Sequence, residues 1–246
     1  KSGGFTTYNS GLPDQLEPFK FEELIAYETG VKASLFDNRL QANAAIYYYD
    51  YRDQQLQGVL YTQTGRVGRM INVPKSHIQG AELELRWQPL DNLTITQAVG
   101  YKYGEYDEFF FVNASATEAA KDPVTGEYNT IIYSDRAGER LPFPRFDYKG
   151  SIAYEHQIGD WGVEAETNYA YRSEKFSTSS NSIIGDYWLM NANLTFRPMN
   201  GGYAFGLFVN NLTNAYSEES RNRFISASTG SPNAPRTWGA RVSYRY

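Results

Sequence analysis

The sequence predicts an all-β chain, a transmembrane antiparallel β-barrel represented here by about nine spanning strands. Three observations carry that reading. Nine segments alternate between two unlike faces with the two-residue period of a strand, and all 16 of their charged side chains fall on one face. The connections between segments are alternately short and long, which puts every short turn at one end of the sheet, as in outer-membrane barrels. Aromatic rings gather at the strand ends of the uncharged face, where a bilayer interface selects them. A soluble sandwich shares only the first feature, because its core would hold the largest rings centrally and its loops need no sorting by length.

Residues 1–22, with Gly3, Gly4, Gly11 and Pro13, read as an outer loop entering the first strand, Leu24–Leu35, whose charged face carries Glu28 and Lys32. The turn 36–39, with Asp37 and Asn38, returns the chain through Leu40–Tyr49. The connection 50–77 is long and reads as a loop. Ile78–Trp87 sets Glu82, Glu84 and Arg86 against Ala81, Leu83, Leu85 and Trp87. Turn 88–92 leads into Leu93–Tyr103, which ends in Tyr101 and Tyr103, and the longest connection, 104–144, precedes Arg145–Glu155. After turn 156–160 comes Trp161–Arg172, with Trp161, Val163, Ala165, Thr167, Tyr169 and Tyr171 opposed to Gly162, Glu164, Glu166, Asn168, Ala170 and Arg172. A long connection at 173–187, strand Trp188–Arg197, turn 198–202, strand Tyr203–Asn210, a long connection at 211–236 and the final Thr237–Tyr246 complete the series. Small and aliphatic residues such as Leu83, Val163, Ala165, Ala192 and Ala240 hold the strand middles.

Composition excludes several classes. The 246 residues include 23 Lys and Arg against 28 Asp and Glu, a net charge of −5, so a nucleic-acid partner is not expected. No run approaches the roughly 18 apolar residues of a spanning helix, while 16% aromatic content is foreign to disorder. Zero Cys removes disulfides, thiolate chemistry and Cys-based zinc sites. With only His77 and His156, a multi-His cage is excluded by count; no metal and no cofactor is expected.

Catalytic chemistry finds no home. The pairs Glu82/Glu84 and Glu164/Glu166 lie on one face each, and read as lumen charges balanced by Arg86, Lys102, Lys149 and Arg172 rather than as acid–base pairs. Neither His has a serine companion at readable spacing, so the chain is not read as an enzyme. The N-x-[ST] matches at Asn92, Asn113, Asn193 and Asn211 read as chance or structural use. Gly65-Arg66-Val67-Gly68 lacks the strand–helix context of a phosphate loop. The stretch Glu105-Tyr106-Asp107-Glu108-Phe109-Phe110-Phe111 lacks the alternating carboxylates and Gly turn of a calcium loop; its rings are expected to pack on their own hairpin or to meet a ligand.

The first and last predicted strands run the same way, and an odd number of strands cannot close by antiparallel pairing alone. Open edges in lipid would leave backbone groups without partners, so a larger barrel is expected.

Several stretches, in order, carry a family resemblance: Tyr27-Glu28-Thr29-Gly30-Val31-Lys32, Leu35-Phe36-Asp37-Asn38-Arg39-Leu40, Gly80-Ala81-Glu82-Leu83-Glu84-Leu85, Leu141-Pro142-Phe143-Pro144 and Val209-Asn210-Asn211-Leu212-Thr213-Asn214, with the ending Pro235–Tyr246. In these the chain resembles the C-terminal part of the barrel of TonB-dependent outer-membrane receptors of the iron-complex uptake group. The resemblance implies a barrel of about 22 strands, with residues 1–246 as part of its wall and with the family's N-terminal plug domain and TonB box absent from these residues. It implies a receptor in the outer membrane of a Gram-negative bacterium that takes up a scarce ligand, a ferric siderophore first, energised through TonB. A passive substrate-specific porin, or a receptor for cobalamin or an oligosaccharide, are the alternatives. The implied partners are the ligand, the TonB complex, the barrel-assembly machinery, and outer-membrane lipid with lipopolysaccharide.

A ferric chelate is usually a bulky anion or a ring-rich complex, so its site should join cations to aromatic faces. Those residue types meet in the long connections: Tyr103 and Tyr106 where the 104–144 connection leaves its strand, Tyr128, Tyr133, Arg136 and Arg140 before its return, and Arg221, Arg223 and Phe224 before the last strand. That strand, with Trp238, Ala240, Val242, Tyr244 and Tyr246 on its outward face, resembles the C-terminal signal read during barrel assembly.

Overall fold

A computed structural model describes residues 1–6, 17–62, 65–177, 182–223 and 228–244. The chain runs through β1 (Glu23–Leu35), β2 (Leu40–Thr62), β3 (Gly65–Leu90) and β4 (Leu93–Glu108). A hairpin of β5 (Phe110–Val112) and β6 (Tyr133–Asp135) then encloses helix α1 (Ala114–Ala119). β7 (Phe146–Ile158) and β8 (Trp161–Arg172) lead to a hairpin of β9 (Lys175–Ser177) and β10 (Ser182–Ile184). β11 (Tyr187–Pro198) and β12 (Tyr203–Asn210) precede the hairpin of β13 (Glu218–Arg223) and β14 (Ser228–Pro232), and β15 (Thr237–Tyr244) ends the series. β1, β2, β3, β4, β7, β8, β11, β12 and β15 form one nine-stranded sheet in that order. These are the nine strands that alternation predicts. Among the described residues the sheet does not close on itself, and no helix is long and apolar enough to cross a membrane.

β2, β3 and β4 are longer than expected. Residues 50–77, read from the sequence as a loop, are mostly the continuation of β2 and β3. The connection 104–144 is likewise no plain loop, since β4 runs on to Glu108 and β5, α1 and β6 follow.

The chain folds as two compact units. The first comprises residues 1–27, 47–79 and 103–141. Among the described residues it contains six of the seven buried hydrophobic side chains: Tyr61, Val73, Tyr106, Phe109, Tyr128 and Leu141. Buried positions on β2 here are Gln55, Gly58 and Tyr61, three residues apart rather than two, so both faces of the strand are covered. Gln55 is held on all sides. Its backbone N–H donates to Glu22 Oε2 at 2.9 Å, and its Nε2 donates to the carbonyls of Ser2 (2.8 Å) and Lys20 (3.1 Å).

The second unit comprises residues 28–46, 80–102 and 142–246. Its strand registers align Leu93, Tyr154, Ala165, Leu194, Leu207 and Ala240 in one row across six strands. Among the described residues that face has no protein cover: Leu207 is 54% exposed and Val242 69%. The opposite face holds the charges. Asp147 is bridged by Lys102 and Arg172, each at 3.3 Å, and Glu164 pairs with Arg197 at 3.5 Å. Lys102 and Arg172 thus balance charge as the sequence suggests, although through Asp147. Such an inverted arrangement, with apolar rows outside and ion pairs on the other face, suits a lipid surround.

Turn chemistry explains the first reversal. Asp37 and Asn38 sit at φ 52° and 69°, and the Arg39 N–H donates to the Phe36 carbonyl at 3.0 Å. Phe36 before them is left-handed too, at φ 54°; the central Asp37–Asn38 pair matches the right-handed twist of a hairpin, and Asp and Asn tolerate that conformation best after Gly.

A carboxamide, that of Gln97, stands on the apolar face. The Gln97 Nε2 donates to the Tyr169 hydroxyl at 2.5 Å, and the Tyr148 hydroxyl donates to Gln97 Oε1. Gly150 lies opposite Gln97 and leaves the room this trio needs; a Cβ there would meet Gln97 Oε1 at 2.7 Å and the Tyr169 hydroxyl at 2.9 Å.

Candidate ligand-binding surface

In the first unit, the segment after β4 folds back on itself. The Tyr106 N–H donates to Glu139 O, the Arg136 N–H to Phe109 O and the Leu141 N–H to Gly104 O, at 2.7–3.0 Å. This ladder drives the rings of the acidic–aromatic stretch inward: Tyr106 meets Phe109 at 4.7 Å and Phe109 meets Phe111 at 5.5 Å. Phe110, on the alternate side, is 68% exposed. The rings pack on their own hairpin, one of the two outcomes expected from the sequence.

Arg136 belongs to the same cluster. Its guanidinium lies over Phe111 at 5.9 Å and its Nε donates to Glu139 at 2.7 Å. Burial raises the Tyr106 phenol above its ordinary pKa, with Arg136 opposing and Glu139 reinforcing the shift. Tyr106 therefore stays a neutral phenol well into the alkaline range. Tyr128 lies in a second cluster beside α1, with Tyr61 edge-on at 5.0 Å, its hydroxyl 3.0 Å from both Glu118 oxygens, and Lys121 over its face at 4.8 Å. The helix itself is capped by Asn113, whose side chain accepts from the Ala116 N–H at 2.9 Å, so this N-x-[ST] match has a structural use.

Tyr106 and Tyr128 thus shape the surface from beneath, whereas Tyr133 (58% exposed) and Arg140 stand on it. Tyr103 donates to Glu105 Oε2 at 2.5 Å. In the second unit, Arg221 donates through Nε to Glu218 Oε2 at 2.7 Å, and Tyr216 donates to Glu218 Oε1 at 2.8 Å. Together they hold the Glu218 carboxyl below its usual range, Arg221 first. The backbone of Arg223 pairs with Ser228; Phe224 and Tyr246 lie outside the described residues. Of the expected ligand residues, then, Tyr106 and Arg136 share one cluster.

A grouping that sequence reasoning missed lies on β3 and β4. His77 Nδ1 is 2.7 Å from Asp107 Oδ1, and ligand atoms of His77, Glu105 and Asp107 all fall within 4.8 Å of one another. Tyr48 stacks on the His77 ring at 5.8 Å with planes 17° apart. No fixed spacing announces this site, because His77 and Asp107 are 30 residues apart on different strands.

The second unit carries a concavity of about 600 Å³, lined by Gln41, Asn43, Glu84, Thr96, Lys149 and Asn168 among others. Cross-strand bonds stiffen it: Thr96 with Ser151 at 2.7 Å, and Asn191 donating to Asn168 at 2.7 Å. Among the described residues Arg86 and Lys149, expected to balance lumen carboxylates, form no ion pair.

Comparison with known proteins gives a consistent answer. A family model described as TonB dependent receptor-like, beta-barrel, matches residues 2–212. The ferric yersiniabactin uptake receptor FyuA from Yersinia pestis superposes with a TM-score of 0.75 at 19% identity, covering 98% of this chain and 33% of that one. The ferric-catecholate import receptor Fiu from E. coli K12 gives 0.60 at 18%, covering 98% and 30%. The ferric preacinetobactin receptor BauA from Acinetobacter baumannii gives 0.63 at 12%, covering 98% and 32%. At these identities the likeness is one of fold, and this chain spans about a third of the length of each.

Proposed function

The chain belongs to the TonB-dependent receptor β-barrel family, and from that premise we propose that residues 1–246 are the C-terminal part of the barrel of a Gram-negative outer-membrane receptor that captures a ferric siderophore and imports it with energy from TonB. The wall carries this reading: an apolar face without protein cover backs a face of paired charges, as a strand between lipid and an aqueous lumen requires. The packed first unit supports capture rather than free passage, because a buried aromatic core holds Tyr133 and Arg140 on a defined surface. Lipid and lipopolysaccharide surround the wall in this reading, and the TonB complex and plug act through parts of the protein beyond these residues.

Two measurements test it. In a strain lacking other siderophore receptors, the intact receptor should support uptake of a ferric chelate only while TonB is functional. Uptake undiminished without TonB would make the protein a passive pore. Within the receptor, Arg140→Ala should weaken chelate binding about tenfold, or about 1.4 kcal/mol, if its exposed guanidinium meets the anion; unchanged affinity moves the contact elsewhere.

The last strand is proposed to carry the assembly signal. Trp238, Ala240, Val242 and Tyr244 are exposed on β15, which ends the sheet order, and a strand at the edge of a sheet can add to a template strand. Deleting Tyr246 from the intact receptor should lower the amount of heat-modifiable, folded protein in the outer membrane. A normal yield removes the signal role.

A further inference from the structure

We propose that His77, Glu105 and Asp107 form a binding site for a divalent transition cation of the zinc type. Their ligand atoms lie within 4.8 Å of one another, a little wider than the about 3–4 Å that bonds near 2 Å require, so closing on one ion takes only a small side-chain movement. Tyr103, Glu105 and Asp107 are alternate residues of β4, so they share one face of that strand, and His77 on β3 joins them.

A plain His77–Asp107 ion pair accounts for only part of this arrangement. It leaves Glu105, a second carboxylate close to the first. Among the described residues His77 is the sole ion-pair partner of either acid, although Arg140 sits across an isolated bridge from Glu105. Two carboxylates against one imidazole leave net negative charge in a half-buried site, which a bound cation offsets.

The donor set selects the ion. One imidazole nitrogen with two carboxylate oxygens suits a borderline metal such as Zn²⁺, leaving a fourth position for water. Calcium, which takes six to eight oxygens, gains little from an imidazole. The surroundings are already ordered: Tyr48 stacks on the His77 ring, and the Tyr103 hydroxyl fixes one Glu105 oxygen at 2.5 Å. Orienting partners of this kind tune metal affinity from outside the ligand shell.

The test uses the intact receptor in detergent, stripped with chelator and titrated calorimetrically with Zn²⁺ or Ca²⁺ alone, so it is independent of siderophore binding. His77→Gln and Asp107→Asn should each remove one equivalent of bound Zn²⁺. Tyr103→Phe, which keeps the His–Asp pair and guards against a folding artefact, should weaken that site on the order of 10–100-fold. Unaltered Zn²⁺ stoichiometry and affinity in all three variants would overturn the site. So would binding of Ca²⁺ as tight as Zn²⁺ and indifferent to His77→Gln, since the imidazole would then be no ligand.

Discussion

Leu207→Arg should all but abolish the folded receptor in the outer membrane. Leu207 sits mid-row between Leu194 and Ala240 on the uncovered face, and an Arg at the bilayer midplane costs about 2–4 kcal/mol. Set against a net stability of roughly 5–15 kcal/mol for a typical protein, that loss falls on a chain that must also insert. The matched control is Asn193→Arg. It places the same charge on the other face, directly across the ladder from Glu166, and should leave the folded yield near normal. Heat-modifiable gel mobility reads both variants. Equal yields from the two would mean that this wall does not face lipid with the Leu207 side.

The second large effect is expected at Asn211. This residue, 5% exposed, donates from its backbone N–H to Asn191 Oδ1 at 2.8 Å and from Nδ2 to the carbonyls of Ala215 (2.9 Å) and Ala234 (3.1 Å). Its Oδ1 accepts from the Ala215 N–H at 2.8 Å. One side chain thus closes the turn after β12 and ties it to the approach of β15. Asn211→Ala deletes three of these bonds, a cost of about 3 kcal/mol. A φ of 51° adds about 1 kcal/mol for Ala that Gly escapes. Urea unfolding of the receptor in lipid vesicles should therefore rank wild type above Asn211→Gly, and Gly above Ala. An Ala variant as stable as wild type would show that the turn holds without this side chain.

The nine wall strands were legible because lipid on one side and water on the other impose a strict two-residue period. Where that asymmetry ends, legibility ends with it. In residues 50–77 both faces are packed against protein, so Gln55, Gly58 and Tyr61 are buried three apart and the strands read as loop. The candidate ligand residues were chosen by chemical type, and type says nothing of depth: Tyr106 and Tyr128 prove buried, while Tyr133 and Arg140 stand exposed. The approach of His77 to Asp107 depends on how β3 and β4 align beyond turn 91–92, which no local pattern encodes.

Gln97 also bears on how the wall is assembled. A slip of β4 by one residue against β7 would turn charges toward lipid and is excluded by that alone. A slip by two keeps every face correct, and hydrophobicity cannot detect it. It would, however, bring Gln97 opposite Tyr148 or Ile152 instead of Gly150, where a side chain fills the space that its carboxamide needs to reach both phenols. An amide left unpartnered in hydrocarbon costs about 2–7 kcal/mol. The polar trio on this greasy surface thereby proofreads alignment, rejecting the error that the alternating pattern would let pass.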